Sequence, residues 1–128
     1  MVLQISSSPT TAFVITDASI KNNITTSISH LHIANHPLIK TIHHAVFITS
    51  TEAELFAIRC GINQAYIKEN MPKIIVITDS IHVAKKIFDS KSHLFQSHTM
   101  AIHNELHHFF NKNHKNFIEF WECPSCLK

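Results

Sequence analysis

Apolar positions along this chain run together, alternate, or recur every three to four residues, and each change of rhythm marks an element. Thr11 to Thr16 (TAFVIT) is an apolar and β-branched run that predicts a short buried strand, and it stops on Asp17-Ala18-Ser19. After the turn signal Lys21-Asn22-Asn23, residues 24–34 (ITTSISHLHIA) alternate apolar with polar, as a half-buried antiparallel strand does. Asn35-His36-Pro37 turns the chain into a third strand over 41–49 (TIHHAVFIT). The period then becomes helical: Leu55, Ile58, Ile62, Ala65 and Tyr66 share a face over 51–69, with Ser50 or Thr51 available as N-cap and Asn70 and Pro72 as the stop. Residues 73–79 (KIIVITD) read as a strand buried on both faces, the mark of a central parallel strand. Ser80 can cap a short helix over 81–88, Asp89-Ser90-Lys91-Ser92 breaks it, and Phe95, Met100, Ile102, Leu106, Phe109 and Phe110 outline a second long helix over 95–111. Residues 117–121 (FIEFW) form the last strand.

The order β-β-β-α-β-α-α-β predicts an α/β domain with a mixed five-stranded sheet, three strands antiparallel and two parallel, flanked by helices. At 128 residues the chain is one domain, read as an N-terminal extension over 1–10 and a folded unit over 11–128. The 45% of hydrophobic and 16% of charged residues exclude a disordered chain. No apolar run approaches the ~20 residues of a membrane span, and no signal peptide opens the chain, so a soluble intracellular protein without a membrane partner is expected. A net charge of +2 announces no strong basic field, although 12 histidines add positive charge on mild acidification. Three cysteines make no disulfide framework, and Cys123-Pro-Ser-Cys126 supplies only half a zinc site.

The chemistry lies in a repetition. Ile77-Thr78-Asp79-Ser80 repeats Ile15-Thr16-Asp17-Ala18-Ser19 in kind, an apolar strand ending on Thr-Asp. If the first and fourth strands lie side by side and parallel, both aspartates reach the carboxyl edge where ligands gather, and Glu54, one turn into the long helix, reaches over the same edge. Three convergent carboxylates repel one another unless cations sit between them, and an all-oxygen donor set suits Mg²⁺ or Mn²⁺. Two such ions ~3.5–4 Å apart are a standard device for in-line attack of water on a phosphodiester.

TDAS on the first strand, STEAELFAI opening the long helix and VITDS on the fourth strand resemble the type 1 ribonuclease H family, in the form attached to retroelement reverse transcriptases. The similarity runs over roughly residues 11–124, and IEFWECPS resembles the family's last strand. It implies hydrolysis of the RNA strand of an RNA–DNA hybrid. It further implies Asp17, Glu54 and Asp79 as catalytic metal ligands for two Mg²⁺ or Mn²⁺ ions, with Asp17 bridging, and a reverse transcriptase domain as neighbour in a parent polyprotein. The acidic residue on the first long helix sets the pattern apart from transposases and integrases of similar fold, and the lone acid on the first strand sets it apart from proofreading exonucleases. Ala18 stands where the family usually has Gly. The family also continues into a loop histidine and a final helix with a fourth carboxylate, so the chain is read as truncated relative to it. Glu122, ending the last strand, is a candidate replacement for that ligand. The competing expectation is a retroelement remnant that binds nucleic acid without cutting.

Ser19, Thr51 and Ser80 flank the acids and are placed to touch a phosphate, while capping explains Thr51 and Ser80 equally well. Glu52 suits the helix dipole. The doublets His43-His44 and His107-His108 splay their side chains and do not chelate alone. His103 and His107 share a helical face, a spacing that twelve histidines produce by chance. Lys85, Lys86, Lys91, Lys112 and Lys115 are either a solvated face or a ridge along a nucleic-acid strand. The late aromatics Phe109, Phe110, Phe117, Phe120 and Trp121 belong to the core.

Overall fold

The computed structural model describes residues 9–46, 49–79, 81–87 and 96–122. Its strands are β1 (Thr11–Lys21), β2 (Ile24–Ile33), β3 (Ile39–Val46), β4 (Lys73–Thr78) and β5 (Phe117–Glu122). Its helices are α1 (Ser50–Asn63), α2 (Ile81–Lys86) and α3 (Gln96–Lys112). They form one mixed sheet in the order β3-β2-β1-β4-β5, antiparallel from β3 to β1 and parallel from β1 to β5. This is the predicted architecture, with the first and fourth strands side by side. The predicted extension over residues 1–10 and the Cys123/Cys126 pair fall largely or wholly outside the described residues. Among the described residues no helix is long and apolar enough to cross a membrane.

The third strand begins at Ile39 rather than at residue 41, and Thr49 caps α1 rather than ending that strand. Two further elements differ from the sequence reading. β1 does not stop at Asp17 but continues to Lys21, because its two neighbours end at different points. Parallel pairing with β4 ends at Ile15↔Ile77, while antiparallel pairing with β2 carries on to Lys21↔Ile24 through a tight turn with Asn22 and Asn23 at φ 53° and 64°. Asp17 therefore sits at the place where β1 loses one partner and keeps the other. The long helix is also composite: α1 gives way to a π-helical turn over Gln64–Lys68, and Asn70 at φ 53° leads out of it.

Side chains alternate cleanly across the sheet. On one face Ala12 and Val14 of β1, Leu31 and Ile33 of β2, and Ile74 and Val76 of β4 pack with Leu55, Ile58 and Ile62 of α1 and with Ile102, Leu106 and Phe109 of α3. Burying each large aliphatic here contributes roughly 1.5–3 kcal/mol, so this layer dominates the stability of the fold. The opposite face carries a smaller cluster, Phe13 and Ile77 with Ile15 and Ile75, and Trp121 meets Phe13 edge-on at 6.2 Å.

The sequence has one glycine, and packing explains it. A Cβ on Gly61 would lie 2.1 Å from Val14 Cγ1 and 2.7 Å from Ser29 Oγ, well inside contact distance. The helix lies this close because the β2 residues beneath it, Thr25, Ser27 and Ser29, are small and buried. Ser27 Oγ donates to the Ala53 carbonyl at 2.8 Å and ties the first turn of α1 to the sheet.

Candidate metal centre

α1 begins earlier than Ser50 or Thr51 suggested as caps. Thr49 is the N-cap: its backbone is extended, and its hydroxyl accepts the Glu52 N–H at 3.1 Å, satisfying a donor the helix leaves open. Glu54 thus falls in the second turn and, with Ala53 pinned by Ser27, projects back over the sheet edge.

There it is nearly sealed from water, 5% exposed. Thr16 Oγ1 and Thr78 Oγ1 each donate to Glu54 Oε1 at 3.0 Å. The repeated Thr-Asp is explained by this arrangement. In β1 and β4 the threonine lies on the helix-covered face and holds Glu54, and the aspartate that follows lies at the strand edge. Asp17, Glu54 and Asp79 each offer a carboxylate oxygen, and the three oxygens lie within 4.8 Å of one another. Asp17 is half-buried and Asp79 exposed, so the group opens to solvent on the Asp79 side. Burial pushes the Glu54 carboxyl above its usual range; the two threonine bonds oppose that shift, and the charges of Asp79 and Asp17 add to it.

Three hard oxygen donors, one of them buried and crowded by the other two, fit a divalent Mg²⁺- or Mn²⁺-type ion. A cation here would relieve both the mutual repulsion and the cost of burying the Glu54 charge. Ala18, whose N–H donates to Asp17 Oδ1 at 2.9 Å, keeps a negative φ, so a side chain is accommodated where the family usually has glycine. Glu122 ends β5 opposite Thr78 but is not part of the carboxylate group, so its candidacy as fourth ligand is not met in this arrangement.

Ser19 is exposed on β1 close after Asp17, and Thr51 is half-buried in the first turn of α1 just before Glu54, while Ser80 lies outside the described residues. The repeated Thr-Asp is visible in the sequence, but the role of its threonines as donors to Glu54 is not, since it depends on strand register. The histidine doublets take separate roles: His43 stacks on Phe56 with centroids 4.4 Å apart, and His44 pairs with Thr26 on the other face of the sheet. His103 Nε2 meets the Ile87 carbonyl and His107 Nε2 pairs with Asn111, which leaves no shared metal between them. Of the lysines, Lys85, Lys112 and Lys115 are exposed, and Lys91 lies outside the described residues. Cys60 is a free thiol whose pKa burial pushes up.

A model of the family described as reverse transcriptase-like matches residues 32–122. A search of curated protein sequences found no match. Among solved structures, the chain is similar to RNase H1 from the halophilic archaeon Halobacterium salinarum, with a TM-score of 0.71 at 13% identity over 91% of this chain and 88% of that one. It is similar to the N-terminal RNase H domain of a Mycobacterium tuberculosis protein, solved as a fusion with maltose-binding protein, with a TM-score of 0.74 at 14% identity over 91% and 89% of the two chains. A third, LC11-RNase H1 in complex with an RNA/DNA hybrid, gives a TM-score of 0.65 at 12% identity over 89% and 86%. At such identities the structural likeness establishes the fold, and the family model covers most of the chain. The chain belongs to the ribonuclease H family, in its reverse transcriptase-like branch.

Proposed function

We propose that this protein is a metal-dependent endonuclease that hydrolyses the RNA strand of RNA–DNA hybrids. The observation that carries the reading is the meeting of Asp17, Glu54 and Asp79 within 4.8 Å at the edge where parallel pairing ends. Divalent ions, when bound, supply Lewis-acid chemistry for phosphodiester hydrolysis. The chain's part is to hold that chemistry in place. Thr16 and Thr78 fix one Glu54 oxygen, so the carboxylate is oriented before any ligand arrives. The apolar layer beneath excludes water from its inner side. Asp79, exposed, takes the solvent-facing position from which substrate approaches. Ser19, Thr51 and Ser80, which flank the acids in the sequence, are assigned here to contacts with the sugar–phosphate backbone. Hybrid selection would rest on shape and 2′-hydroxyls rather than on base sequence. The family model supports an origin beside a reverse transcriptase domain.

The test is incubation of a labelled hybrid with Mg²⁺ or Mn²⁺. Wild type is expected to cut the RNA strand and Asp17→Asn to leave it whole. Tight hybrid binding with no cutting by wild type in either metal would replace this reading with that of a nucleic-acid-binding remnant.

A further inference from the structure

The face of the sheet away from α1 holds a small cavity of about 120 Å³ lined by Ile15, Asp17, Ile28, His30 and Lys40. Its walls follow from register. Ile15 pairs with His30 and Asp17 with Ile28 across β1 and β2, and His30 pairs with Lys40 across β2 and β3, so the five side chains share one face. The cavity touches the carboxylate group through Asp17 but is chemically its opposite, with a lysine ammonium and an imidazole facing apolar walls. His30 Nε2 is buried with no hydrogen-bond partner. Buried imidazole nitrogens are seldom left unmet in folded proteins, and this one belongs to a ring that lines a cavity beside a lysine.

We propose that Lys40 and His30 form a phosphate subsite that seats a backbone phosphate of the substrate nucleic acid, flanking the one to be cut. The inference rests on the phosphodiesterase reading above. A second cation is a poor occupant: His30 is not among the side chains that form the group of mutually close ligand atoms, and Lys40 would repel it. The space, about 120 Å³, has room for a tetrahedral oxyanion. Charge order points the same way. A phosphodiester crossing the sheet edge at Asp17 would meet cation-binding acids on one side and fixed positive charge on the other, which sets the strand's direction as well as its affinity.

The experiment uses the whole chain with Lys40→Gln and His30→Gln. Lys40 is exposed on an edge strand, so its variant is expected to fold even if the His30 variant does not. Hybrid affinity is followed by fluorescence anisotropy across a salt series without divalent ions, and Mn²⁺ affinity by electron paramagnetic resonance. Lys40→Gln is expected to weaken hybrid binding roughly tenfold and lower the salt slope by about one phosphate, and His30→Gln to weaken it about threefold. Mn²⁺ affinity should stay equal or rise, because a repelling charge near the acids has gone; a merely structural effect would weaken it. In a set of hybrids each carrying one neutral methylphosphonate, a single flanking position should cost wild type as much as Lys40→Gln does and cost that variant nothing more. This locates the contact on the polynucleotide rather than on free phosphate. If wild type cuts while both variants bind hybrid equally well, the subsite is wrong and the nuclease reading stands. If wild type neither binds Mn²⁺ nor cuts, both readings fall.

Discussion

Two glutamates on the packed side of this sheet are withdrawn from water, and their surroundings differ. Glu54 on α1 and Glu105 on α3 both have carboxyl groups that burial pushes above the ordinary range. Both also receive neutral donors, two threonine hydroxyls for Glu54 and the Asn63 Nδ2 amide at 3.0 Å for Glu105. Beyond that they diverge. Glu54 faces two further acids, whose charges raise it more, whereas Arg59 beside Glu105 pulls its carboxyl back down. Glu105 lines a cavity of about 340 Å³ with Arg59, Cys60 and Lys68, and its Oε2 is buried without a partner. A perturbed carboxyl is thus a product of burial alone. Only convergence with other acids turns it into a demand for a cation.

The largest expected difference between the two is in catalysis. Glu54→Gln should reduce hybrid cleavage by more than roughly 100-fold, and Glu105→Gln should leave it within about twofold, as single-turnover rates in Mg²⁺ will show. Equal losses in both variants would erase the contrast. Next is metal affinity. Thr16→Val and Thr78→Val each remove a bond that orients Glu54, and each should weaken Mn²⁺ binding by about 10–100-fold; Asn63→Ala should not change it. Calorimetric titration decides between these outcomes.

A third difference concerns pH. A carboxyl raised in the folded state contributes stability only while it stays protonated, and that contribution is lost as pH climbs past the ordinary value of 4.5 through the raised one. Metal-free wild type should therefore fall behind Glu54→Gln in melting temperature as pH rises from about 4.5. Adding Mg²⁺ should restore wild type and leave the variant where it was. A gap that stays constant with pH would mean that Glu54 is ionised at no cost. The smallest effect is on Glu105. Glu105→Gln should change metal-free stability by less than about 1 kcal/mol, because Arg59 already offsets the charge and Asn63 can still donate to the amide oxygen.

Much of this architecture can be read from period alone. The switch from the alternation of 24–34 to the helical stripe of Leu55, Ile58 and Ile62 locates β2 and α1, and the apolar run Ile74–Ile77 marks β4 as an interior strand of the sheet. The acids are legible too, since Asp17 and Asp79 follow matching strands and Glu54 opens the helix between them. What escapes a sequence reading depends on register. That Thr16 and Thr78 face Glu54 while their neighbours face the edge follows from pairing Ile15 with Ile77, a contact 62 residues apart in the chain (77 − 15). The extension of β1 to Lys21 is set by its second partner. Residue type does not single out Thr49 as the cap, since Ser50 and Thr51 are just as suitable, and only backbone geometry chooses among the three. Glu105 has no sequence signal at all: it interrupts no stripe and belongs to no motif, and its burial comes from α1 crossing nearby.

Gly61 lies two turns beyond Glu54 on the same rigid rod, touching Val14 two residues before Thr16 on the strand that carries Asp17. A methyl group there would act as a wedge, and a helix lifted even slightly at that point tilts its other end. The reach of one carboxylate toward its two companions is therefore gauged by the only residue in the chain that has no side chain, at a position that never meets an ion or a substrate.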